Sequence, residues 1–204
     1  MNKLLIATSN PGKFAEIKKY LSDLPLEFVG LKDVHITERP DESGKTFQEN
    51  AVIKAKFYFE KSGLPTIADD GGFEIDALGG HPGVRTHRWK YPDRDNSDEE
   101  LIDYTVTKML GVPHLKRAAQ LRVVIAIAFS NKDIITVEEK IRGIVSEKPC
   151  VYRTPGFPYR SLLFLPELGK YYIDNELTKE ENEAYNHRKK ALEKLKPIIA
   201  KHLC

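Results

Sequence analysis

The first constraint on the fold is an apolar run that changes within a few residues into a polar turn and then a helical pattern. All three parts lie in the stretch LLIATSNPGKFAEI at residues 4–17. Residues 3–8 are predicted to form a buried strand, and residues 13–22 a helix with one apolar stripe. A second strand is predicted near residues 26–31, so the chain opens in an order that is typical of α/β proteins.

The rest of the chain continues this alternation and then changes to a long hairpin. Periodicity and helix-start signals predict helices at about 46–61, from Ser97 onwards, and from after Thr178 towards residue 200. Apolar and alternating runs predict strands at 65–69, 73–78, 121–130, 134–147 and 161–166. Early alternation followed by a hairpin predicts an α/β fold with a mixed sheet. No repeat or linker-like stretch interrupts the pattern, so residues 1–204 are predicted to be a single domain.

Composition excludes several classes of function. The chain has 32 basic and 30 acidic residues, and this near balance gives no global field for coating nucleic acid or a membrane surface. No apolar run approaches the roughly 20 residues of a membrane span, and the N-terminus lacks the layout of a signal peptide. Cys150 and Cys204 are too few for a disulfide framework and fit no metal-binding spacing. We therefore expect a soluble, cytoplasmic protein with neither nucleic acid nor membrane as a partner.

The polar turn after the first strand is a candidate phosphate site. A strand that ends in a short glycine-containing turn before a helix delivers several free backbone N–H groups to one point. Lys13 adds a full positive charge to the partial charge of the helix dipole. The alternative is an ordinary turn, in which Pro11-Gly12 supplies the bend and Asn10 caps the helix. The turn alone favours that alternative, because it is not a Walker-type sequence.

The stretch TFQENAVIKAKF places a carboxylate at the start of a predicted helix. Thr46 and Glu49 have the spacing of a capping box, in which Glu49 reaches back to the N-terminus of its own helix. A carboxylate in the first turn is also well placed to bind a cation, and Asn50 beside it could hydrogen-bond a ligand. The residues alone favour the cap.

The stretch TIADDGGFEIDALGGHPG carries two adjacent aspartates followed by two glycines. Because a strand sends neighbouring side chains to opposite faces, Asp69 and Asp70 are expected to have different roles. Gly71 and Gly72 would let a substrate or a metal approach the backbone. A phosphate-directed Mg²⁺ usually takes one or two carboxylates together with water and phosphate oxygens. The alternative is a loop whose aspartates cap and turn the chain, and the pattern favours the functional interpretation.

Two stretches nearer the C-terminus carry groups that could bind a polar ring. In TKEENEAYNHRKKAL, His187 falls on the inward stripe of the predicted helix, with Arg188 at its edge. A histidine on such a stripe is more often a core residue than a ligand contact. In TPGFPYRSLLF, Phe157 and Tyr159 follow a Pro-Gly turn and could stack on a base or close the core. The core is the more common outcome for such aromatic residues.

In their order, these motifs resemble those of the inosine-triphosphate pyrophosphatase family, and the likeness runs through nearly the whole chain. Four family motifs have counterparts: T-x-N-x-x-K at residues 8–13, T-F-x-E-N-A at 46–51, A-D-D-S-G-L-E-V-D-A-L-G-G-x-P-G at 68–83, and S-H-R at 186–188. The third motif is long and specific, which makes chance similarity a poor explanation.

The resemblance implies an elongated α/β structure, in which a mixed, curved sheet is flanked by helices and two lobes enclose a central active-site cleft. It implies metal-dependent hydrolysis of purine nucleoside triphosphates such as ITP, dITP and XTP to the monophosphate and pyrophosphate, which cleanses the nucleotide pool. Mg²⁺ or Mn²⁺ is the implied cofactor, and a homodimer is the implied assembly. Such chemistry needs positively charged groups beside the phosphate oxygens, which gain negative charge, and a proton acceptor for the attacking water.

The resemblance also assigns residues to the triphosphate end of the site. Asp70 is the implied base for the attacking water. The implied metal site consists of Glu49, Asp70 and Asp69, in which Asp69 supports the other two. Lys13 grips the triphosphate, and Gly71 contributes to substrate binding beside the aspartates. Other substrate contacts are implied for the polar residues of the turn, Thr8, Ser9 and Asn10, and for a base pocket of Phe157, Tyr159, Arg160, Asn182, His187 and Arg188.

The chain departs from the family pattern at positions that cluster around base recognition. Gly71 replaces a serine, Arg160 an aspartate, Asn182 a lysine and Asn186 a serine. A site that reads a polar ring discriminates strongly only while its hydrogen-bond partners are present. One hypothesis is that Arg160 takes over part of the missing lysine's role. Two alternatives remain open: hydrolysis of a different or modified nucleotide, and nucleotide binding with weak or no hydrolysis.

Overall fold

A computed structural model describes residues 2–204 and folds them into a mixed α/β structure with an open seven-stranded sheet flanked by helices. The strands are β1 (Asn2–Ile6), β2 (Leu26–Gly30), β3 (Thr66–Ile75), β4 (Ala118–Ala128), β5 (Ile134–Val145), β6 (Leu163–Leu165) and β7 (Lys170–Tyr171). The helices are α1 (Pro11–Leu21), α2 (Phe47–Ser62), α3 (Asp98–Lys108), α4 (Lys179–Tyr185) and α5 (His187–Leu203). Among these described residues, no helix has the length and apolar character needed to cross a bilayer.

The sheet has the strand order β2-β1-β3-β4-β5-β6-β7, and its two ends are built differently. β1 pairs in parallel with both β2 and β3, and helices provide the crossovers that parallel pairing requires. A short turn joins β4 to β5, and β6 pairs antiparallel with both β5 and β7. The predicted mixed sheet is therefore confirmed.

The described chain divides into two compact units. The first unit contains the chain up to Asp70 together with Val123–Glu139 and His187–Cys204. The second unit contains Gly71–Arg122 and Lys140–Asn186. Helices α1, α2 and α5 accordingly belong to the first unit, and α3 and α4 to the second.

The first unit has helices on both faces of its strands. Leu4 and Ile6 of β1 lie in a core with residues of α1 and α5, whereas Leu5 and Ala7 lie in a core with residues of α2. Successive strand residues point to opposite faces, so both faces of β1 must be apolar. This explains why the run at the start of the chain is continuously hydrophobic, as expected for a parallel strand that is buried on both sides.

The direction of the parallel connections reverses at β1. Helix α1 leads from β1 to β2 on one side, and α2 leads on to β3 on the other side of β1, with the two helices in different cores. Such a reversal creates a ligand-binding crevice at the carboxyl ends of the strands. β1 ends at Ile6, opposite Ile67 of β3. The turn at residues 8–13 and the side chains of Asp69 and Asp70 therefore lie just beyond the paired region.

In the second unit, α3 packs Leu101 and Ile102 into a core that includes Phe73 of β3. Both hydrogen bonds of the capping box between Ser97 and Glu100 are present, which confirms the predicted start of this helix.

Two predicted boundaries are wrong. The separate strands predicted at 65–69 and 73–78 are the single strand β3, because Gly71 and Gly72 keep an extended backbone and neither has a positive φ. The single helix predicted after Thr178 is two helices, α4 and α5. Asn186 between them has a ψ of 106°, which no helical residue adopts.

A buried arginine ties together several backbone segments of the second unit. Arg117 is 4% exposed, and its guanidinium donates to the carbonyl oxygens of Met109, Val112, Val145 and Ser146 at distances of 2.7–3.3 Å. A guanidinium presents five N–H donors in one plane, whereas lysine has one compact ammonium group. Lysine at this position would therefore leave some of these carbonyl groups without a donor.

We predict that Arg117→Lys lowers the free energy of unfolding by roughly 2–4 kcal/mol, because buried carbonyl groups lose their hydrogen bonds. Arg88→Lys is the matched control, since the Arg88 side chain is 62% exposed and pairs with Asp95 at the surface. The control should change the free energy of unfolding by less than about 1 kcal/mol. Urea denaturation followed by circular dichroism measures both, and equal losses would contradict the role assigned to Arg117.

Candidate active site

The turn between β1 and α1 is closed by its own side chains. The side-chain oxygen of Asn10 accepts hydrogen bonds from the N–H groups of Gly12 at 2.9 Å and Lys13 at 3.3 Å. The hydroxyl of Thr8 accepts one from the N–H of Asn10 at 3.2 Å, and Ser9 is exposed. The predicted Asn10 cap is therefore confirmed, and the expectation of free N–H groups is wrong for Gly12 and Lys13. Positive charge at this turn comes mainly from the Lys13 side chain.

The Lys13 side chain reaches Asp69 of β3. Its Nζ lies 3.0 Å from Oδ2 of Asp69, and the same oxygen accepts a hydrogen bond from Nη2 of Arg188 at 3.0 Å. Arg188 also donates through Nη1 to Oε2 of Glu16 at 2.6 Å. Lys13 and Glu16 stand one turn apart on α1, and Arg188 is the second residue of α5. The carboxylate of Asp69 therefore ties β3 to both helices.

These charges are almost completely removed from solvent. The side chains of Asp69 and Arg188 are 1% and 5% exposed. Burial alone would raise the pKa of Asp69, but the charges of Lys13, Arg188 and Lys54 outweigh burial and hold that pKa well below its usual range. Asp69 stays ionised, and its Oδ2 is already shared by two cations. These contacts favour a supporting role for Asp69 over a direct role in chemistry.

Asp70 faces the other side of the sheet, towards α2. Its Oδ1 lies 2.7 Å from Nζ of Lys54, and the same Nζ lies 2.9 Å from Oε2 of Glu42. Adjacent aspartates therefore bind lysines from different helices. The expectation that Asp69 and Asp70 point to opposite faces is confirmed, and the cause is the two-residue period of a strand. Their different roles stay a prediction.

The environment shifts the pKa of Asp70 and Lys54 upwards. Burial raises the pKa of Asp70, and the attraction of Lys54 and Lys13 only partly offsets it. Burial would lower the pKa of Lys54, but the carboxylates of Asp70, Glu42 and Asp69 outweigh burial, so this pKa lies above its ordinary value. A carboxylate with a raised pKa is a better proton acceptor than an ordinary aspartate.

Glu49 caps its own helix, as the residues alone favoured. Its Oε2 accepts hydrogen bonds from the N–H groups of Lys45 at 2.6 Å and Thr46 at 3.1 Å, and the N–H of Glu49 donates back to the Thr46 hydroxyl at 3.1 Å. The side-chain oxygen of Asn50 accepts from the N–H of Gly44 at 2.8 Å. Both side chains therefore hold the loop that precedes α2.

The carboxylates of Asp70 and Glu42 near Lys54 are hard oxygen donors, the kind of group that Mg²⁺ takes as a ligand. Within residues 2–204, no three His, Cys, Asp or Glu side chains come together as a group that could hold a metal ion. A phosphate-bound Mg²⁺ needs fewer protein ligands, because water and phosphate oxygens supply the rest. Asp70 and Glu42 both contact the ammonium group of Lys54, so their carboxylates lie close together. Glu49 is less available as a ligand, because one of its oxygens accepts hydrogen bonds in the helix cap.

Of the two aromatic candidates in the second unit, Tyr159 is a core residue. It is 3% exposed, and its ring stacks on Phe73 with 4.8 Å between the centroids. Its hydroxyl donates to the carbonyl oxygen of Thr86 at 2.9 Å, and burial raises the pKa of Tyr159. Phe157 is only half-buried. Phe157 is therefore the aromatic ring of this pair that a ligand could reach.

Arg160 is buried beside that ring. It is 3% exposed, and its guanidinium carbon lies 4.1 Å from the ring centroid of Phe157 and 5.5 Å from that of Tyr172. Its Nη1 lies 3.8 Å from Oδ1 of Asp174, which also accepts a 2.5 Å hydrogen bond from Nδ2 of Asn182. Two of the departures from the family pattern therefore converge on Asp174, a residue that the sequence analysis did not select.

The other predicted positions lie in β3 and at the junction between α4 and α5. Gly71 is half-buried within β3. Asn186 follows α4, and its Nδ2 lies 3.5 Å from Oδ1 of Asn182. His187 is 5% exposed and is the first residue of α5. The segment that resembles S-H-R therefore begins a helix, which aims Arg188 at Asp69 from the first turn.

Sequence reasoning missed Lys54 and its partner Glu42, and only Lys54 left a signal that could have been read. Lys54 stands among residues that α2 buries at helical spacing, Ala51, Ala55 and Tyr58. A lysine on an inward stripe needs a buried counter-charge, which points to an acidic residue on the facing strand. Glu42 lies in a polar loop, where nothing local distinguishes it from its neighbours.

Comparisons with known proteins agree on one family. Residues 4–198 match a model described as the Ham1 family. The chain is 37% identical over 194 residues to a dITP/XTP pyrophosphatase of Yersinia pseudotuberculosis serotype I (strain IP32953), which covers 94% of this chain and 95% of that protein. It is 38% identical over 202 residues to a dITP/XTP pyrophosphatase of Thermoanaerobacter sp. (strain X514), covering 98% of each. A solved HAM1 protein from Coxiella burnetii superposes with a TM-score of 0.84 at 28% identity, over 98% of this chain and 100% of that one.

We predict that Asp69→Asn lowers the free energy of unfolding by about 3–5 kcal/mol, because a neutral amide removes the buried negative charge that Lys13 and Arg188 share. Asp76→Asn is the matched control, since Asp76 pairs with Arg142 while about half of each side chain is exposed. The control should cost less than about 1 kcal/mol. Denaturant titration at neutral pH gives both values. If Asp69→Asn lowers the free energy of unfolding no more than the control does, the ion pairs of Asp69 with Lys13 and Arg188 do not stabilise the first unit.

Proposed function

The chain belongs to the Ham1 family, and we propose that it hydrolyses aberrant purine nucleoside triphosphates such as ITP, dITP and XTP to the nucleoside monophosphate and pyrophosphate. One observation carries the proposal: adjacent aspartates beyond the end of β1 hold Lys13 and Lys54 on opposite faces of the sheet. Paired cations and carboxylates at the carboxyl ends of parallel strands suit a polyphosphate and its accompanying metal ion. The name dITP/XTP pyrophosphatase, which two relatives bear, supports the choice of substrate.

Lys13 would bind the triphosphate from the turn after β1. Asp69 holds one side of its ammonium group, which has three donors, so others are left for phosphate oxygens. Thr8, Ser9 and Asn10 would supply further polar contacts from the same turn. Positive charge fixed in advance stabilises oxygens that gain charge as the phosphoanhydride bond breaks.

Asp70 would act as the base. Burial raises its pKa, and Lys54 fixes the orientation of its carboxylate through Oδ1. Water attacks the α-phosphorus and its proton passes to Asp70, while the bond from that phosphorus to the bridging oxygen breaks. The leaving group is then pyrophosphate, and the second product is the nucleoside monophosphate.

Mg²⁺ or Mn²⁺ would supply additional charge neutralisation at the phosphate oxygens when bound. We propose that Asp70 holds it together with Glu42, whose side chain is 48% exposed and shares Lys54 with Asp70. Glu49, the partner assigned by resemblance, is the alternative, since one of its oxygens is engaged by two backbone N–H groups. Asp69 would support the site through Lys13.

Base recognition is proposed for the second unit, with Phe157 as the stacking ring. Tyr159 would support it from the core, while Arg160 and Asn182 supply polar groups. His187 and Arg188 are kept in the proposed base pocket on the strength of the family resemblance. Arg188 would act by holding Asp69, which in turn holds Lys13.

By the same resemblance, we propose that the protein is cytoplasmic and forms a homodimer. Light scattering should then give about twice the chain mass of 23.2 kDa.

We predict that the protein, with Mg²⁺, releases pyrophosphate from ITP, dITP or XTP, and that Asp70→Asn lowers kcat by about 100-fold or more because an amide cannot accept the proton. Asp76→Asn should keep activity, since Asp76 lies in an exposed ion pair. Product analysis of a nucleotide panel provides the measurement. Orthophosphate as the first product would contradict attack at the α-phosphorus, and binding without turnover would favour a nucleotide-binding protein.

We predict that Glu42→Gln raises the Mg²⁺ concentration for half-maximal activity by about tenfold or more, because it removes a charged ligand. Glu49→Gln is the matched control, since glutamine also completes a capping box and the helix start should survive. Kinetic titration with Mg²⁺, and Mn²⁺ binding followed by electron paramagnetic resonance, give the two readouts. If only Glu49→Gln raises the Mg²⁺ concentration for half-maximal activity, Glu49 and not Glu42 is the metal ligand.

A further inference from the structure

Lys54 is a charged residue on the buried side of α2. The helix buries the residues around it at helical spacing, and the Lys54 side chain itself is only 14% exposed. An ammonium group in such surroundings needs a negative partner, because burial removes the water that would otherwise stabilise its charge. Two carboxylates share this role, since Nζ of Lys54 lies 2.7 Å from Oδ1 of Asp70 and 2.9 Å from Oε2 of Glu42.

The two carboxylates differ in how firmly the protein holds them. Asp70 lies on β3, and its side chain is 13% exposed. Glu42 belongs to the loop before α2, and its side chain is 48% exposed. Within residues 2–204, neither Oδ2 of Asp70 nor Oε1 of Glu42 takes part in a hydrogen bond. Each carboxylate therefore keeps one oxygen open to a ligand, and Glu42 is the one that can change partners without disturbing the core.

The ammonium group of Lys54 already supplies a cation at the point where these carboxylates meet. Together, the three side chains carry one net negative charge. A divalent cation added by itself would make the group positive and would lie beside the ammonium, and like charges repel strongly where little water screens them. A triphosphate brings several negative charges and removes this imbalance. The charges therefore favour entry of a metal ion together with a triphosphate over entry of the metal ion alone.

We propose that Lys54 is a positioning residue that makes metal binding depend on nucleotide binding, an inference that rests on the proposed function. In the nucleotide-free protein, Lys54 holds Glu42 and competes with the metal ion for that carboxylate. In the complex with a triphosphate, Glu42 leaves Lys54 for the metal ion, while Nζ of Lys54 stays on Oδ1 of Asp70. Lys54 thus keeps the two carboxylates paired until the substrate arrives.

Removal of the Lys54 charge should increase the affinity of the nucleotide-free protein for a metal ion. Lys54→Met keeps an unbranched side chain of similar length, and it should bind Mn²⁺ about tenfold or more tightly than the native protein, because no ammonium group competes for the carboxylates. Lys54→Arg keeps a positive charge and should bind Mn²⁺ as weakly as the native protein. Electron paramagnetic resonance measures free Mn²⁺ in each titration. A purely structural role for Lys54 would leave the Mn²⁺ affinity of Lys54→Met unchanged or lower it, and either result would overturn the proposal.

A matched control and a double variant locate the effect. Lys61 also lies on α2 and pairs at 2.9 Å with Glu38 of the loop that carries Glu42, but about half of each side chain in that pair is exposed. Lys61→Met should therefore leave the Mn²⁺ affinity unchanged. Addition of Glu42→Gln to Lys54→Met should abolish the gain in affinity, because the released carboxylate is then missing. A gain that survives in the double variant would show that Lys54 does not compete for Glu42.

The dependence on nucleotide is measured with α,β-methylene-ITP, which lacks the bond that the proposed reaction cleaves. Saturation with this analogue should tighten Mn²⁺ binding to the native protein by about tenfold or more, as followed by water proton relaxation, and the factor should shrink in Lys54→Met. Equal Mn²⁺ affinity of the native protein with and without the analogue would overturn the proposal, even if Lys54→Met does not fold.

These binding measurements separate this inference from the proposed function, because they need no turnover. If the native protein releases no pyrophosphate from ITP, dITP or XTP, the proposed function fails, and the Mn²⁺ affinities of the nucleotide-free proteins still judge the competition between Lys54 and the metal ion. If pyrophosphate is released but Lys54→Met gains no Mn²⁺ affinity, the proposed function stands and the role of Lys54 is refuted.

Discussion

The buried carboxylate of Asp69 is the interaction on which the first unit's candidate site depends. A charge that is removed from water is tolerated only when it is paired and hydrogen-bonded, and Asp69 is held by Lys13 from α1 and Arg188 from α5. The pairing is mutual, because both cations need the same carboxylate. β3, α1 and α5 are consequently brought to one point, and Lys13 is held where the strand ends.

The neighbouring aspartate shows how the same chemical group acquires a different property one residue later. Strand alternation turns Asp70 to the opposite face, where burial outweighs the attraction of the neighbouring lysines and raises the pKa of Asp70. The charges of Lys13, Arg188 and Lys54 hold the pKa of Asp69 low. One residue is suited to accept a proton and the other to stay charged. This division follows from the period of the strand, and Gly71 and Gly72 extend that strand without breaking it.

In the candidate base pocket, the local sequence does not determine which side chains are buried and which are exposed. Phe157 and Tyr159 are both aromatic and follow the same Pro-Gly turn, yet Tyr159 stacks on Phe73 in the core whereas Phe157 stays partly exposed. Arg160 looks like the loss of a family acceptor, but in the structure it lies beside Asp174, which returns a carboxylate from another part of the chain. The structure therefore places a carboxylate near Arg160 that no local sequence pattern indicates.

The sequence by itself determined the order of elements, the mixed α/β class, the capping boxes at Thr46 and Ser97 and the family motifs, because these depend on residues within a few positions of one another. Only the tertiary structure decided that the final helix breaks at Asn186 and that Lys54 binds Asp70. The pairing of Arg188 with Asp69 joins residues 119 positions apart. Such contacts arise when packing brings distant segments together and desolvates their charges. The position of Lys54 on the buried stripe of α2 indicates that a counter-charge is needed, but it does not indicate which residue supplies it.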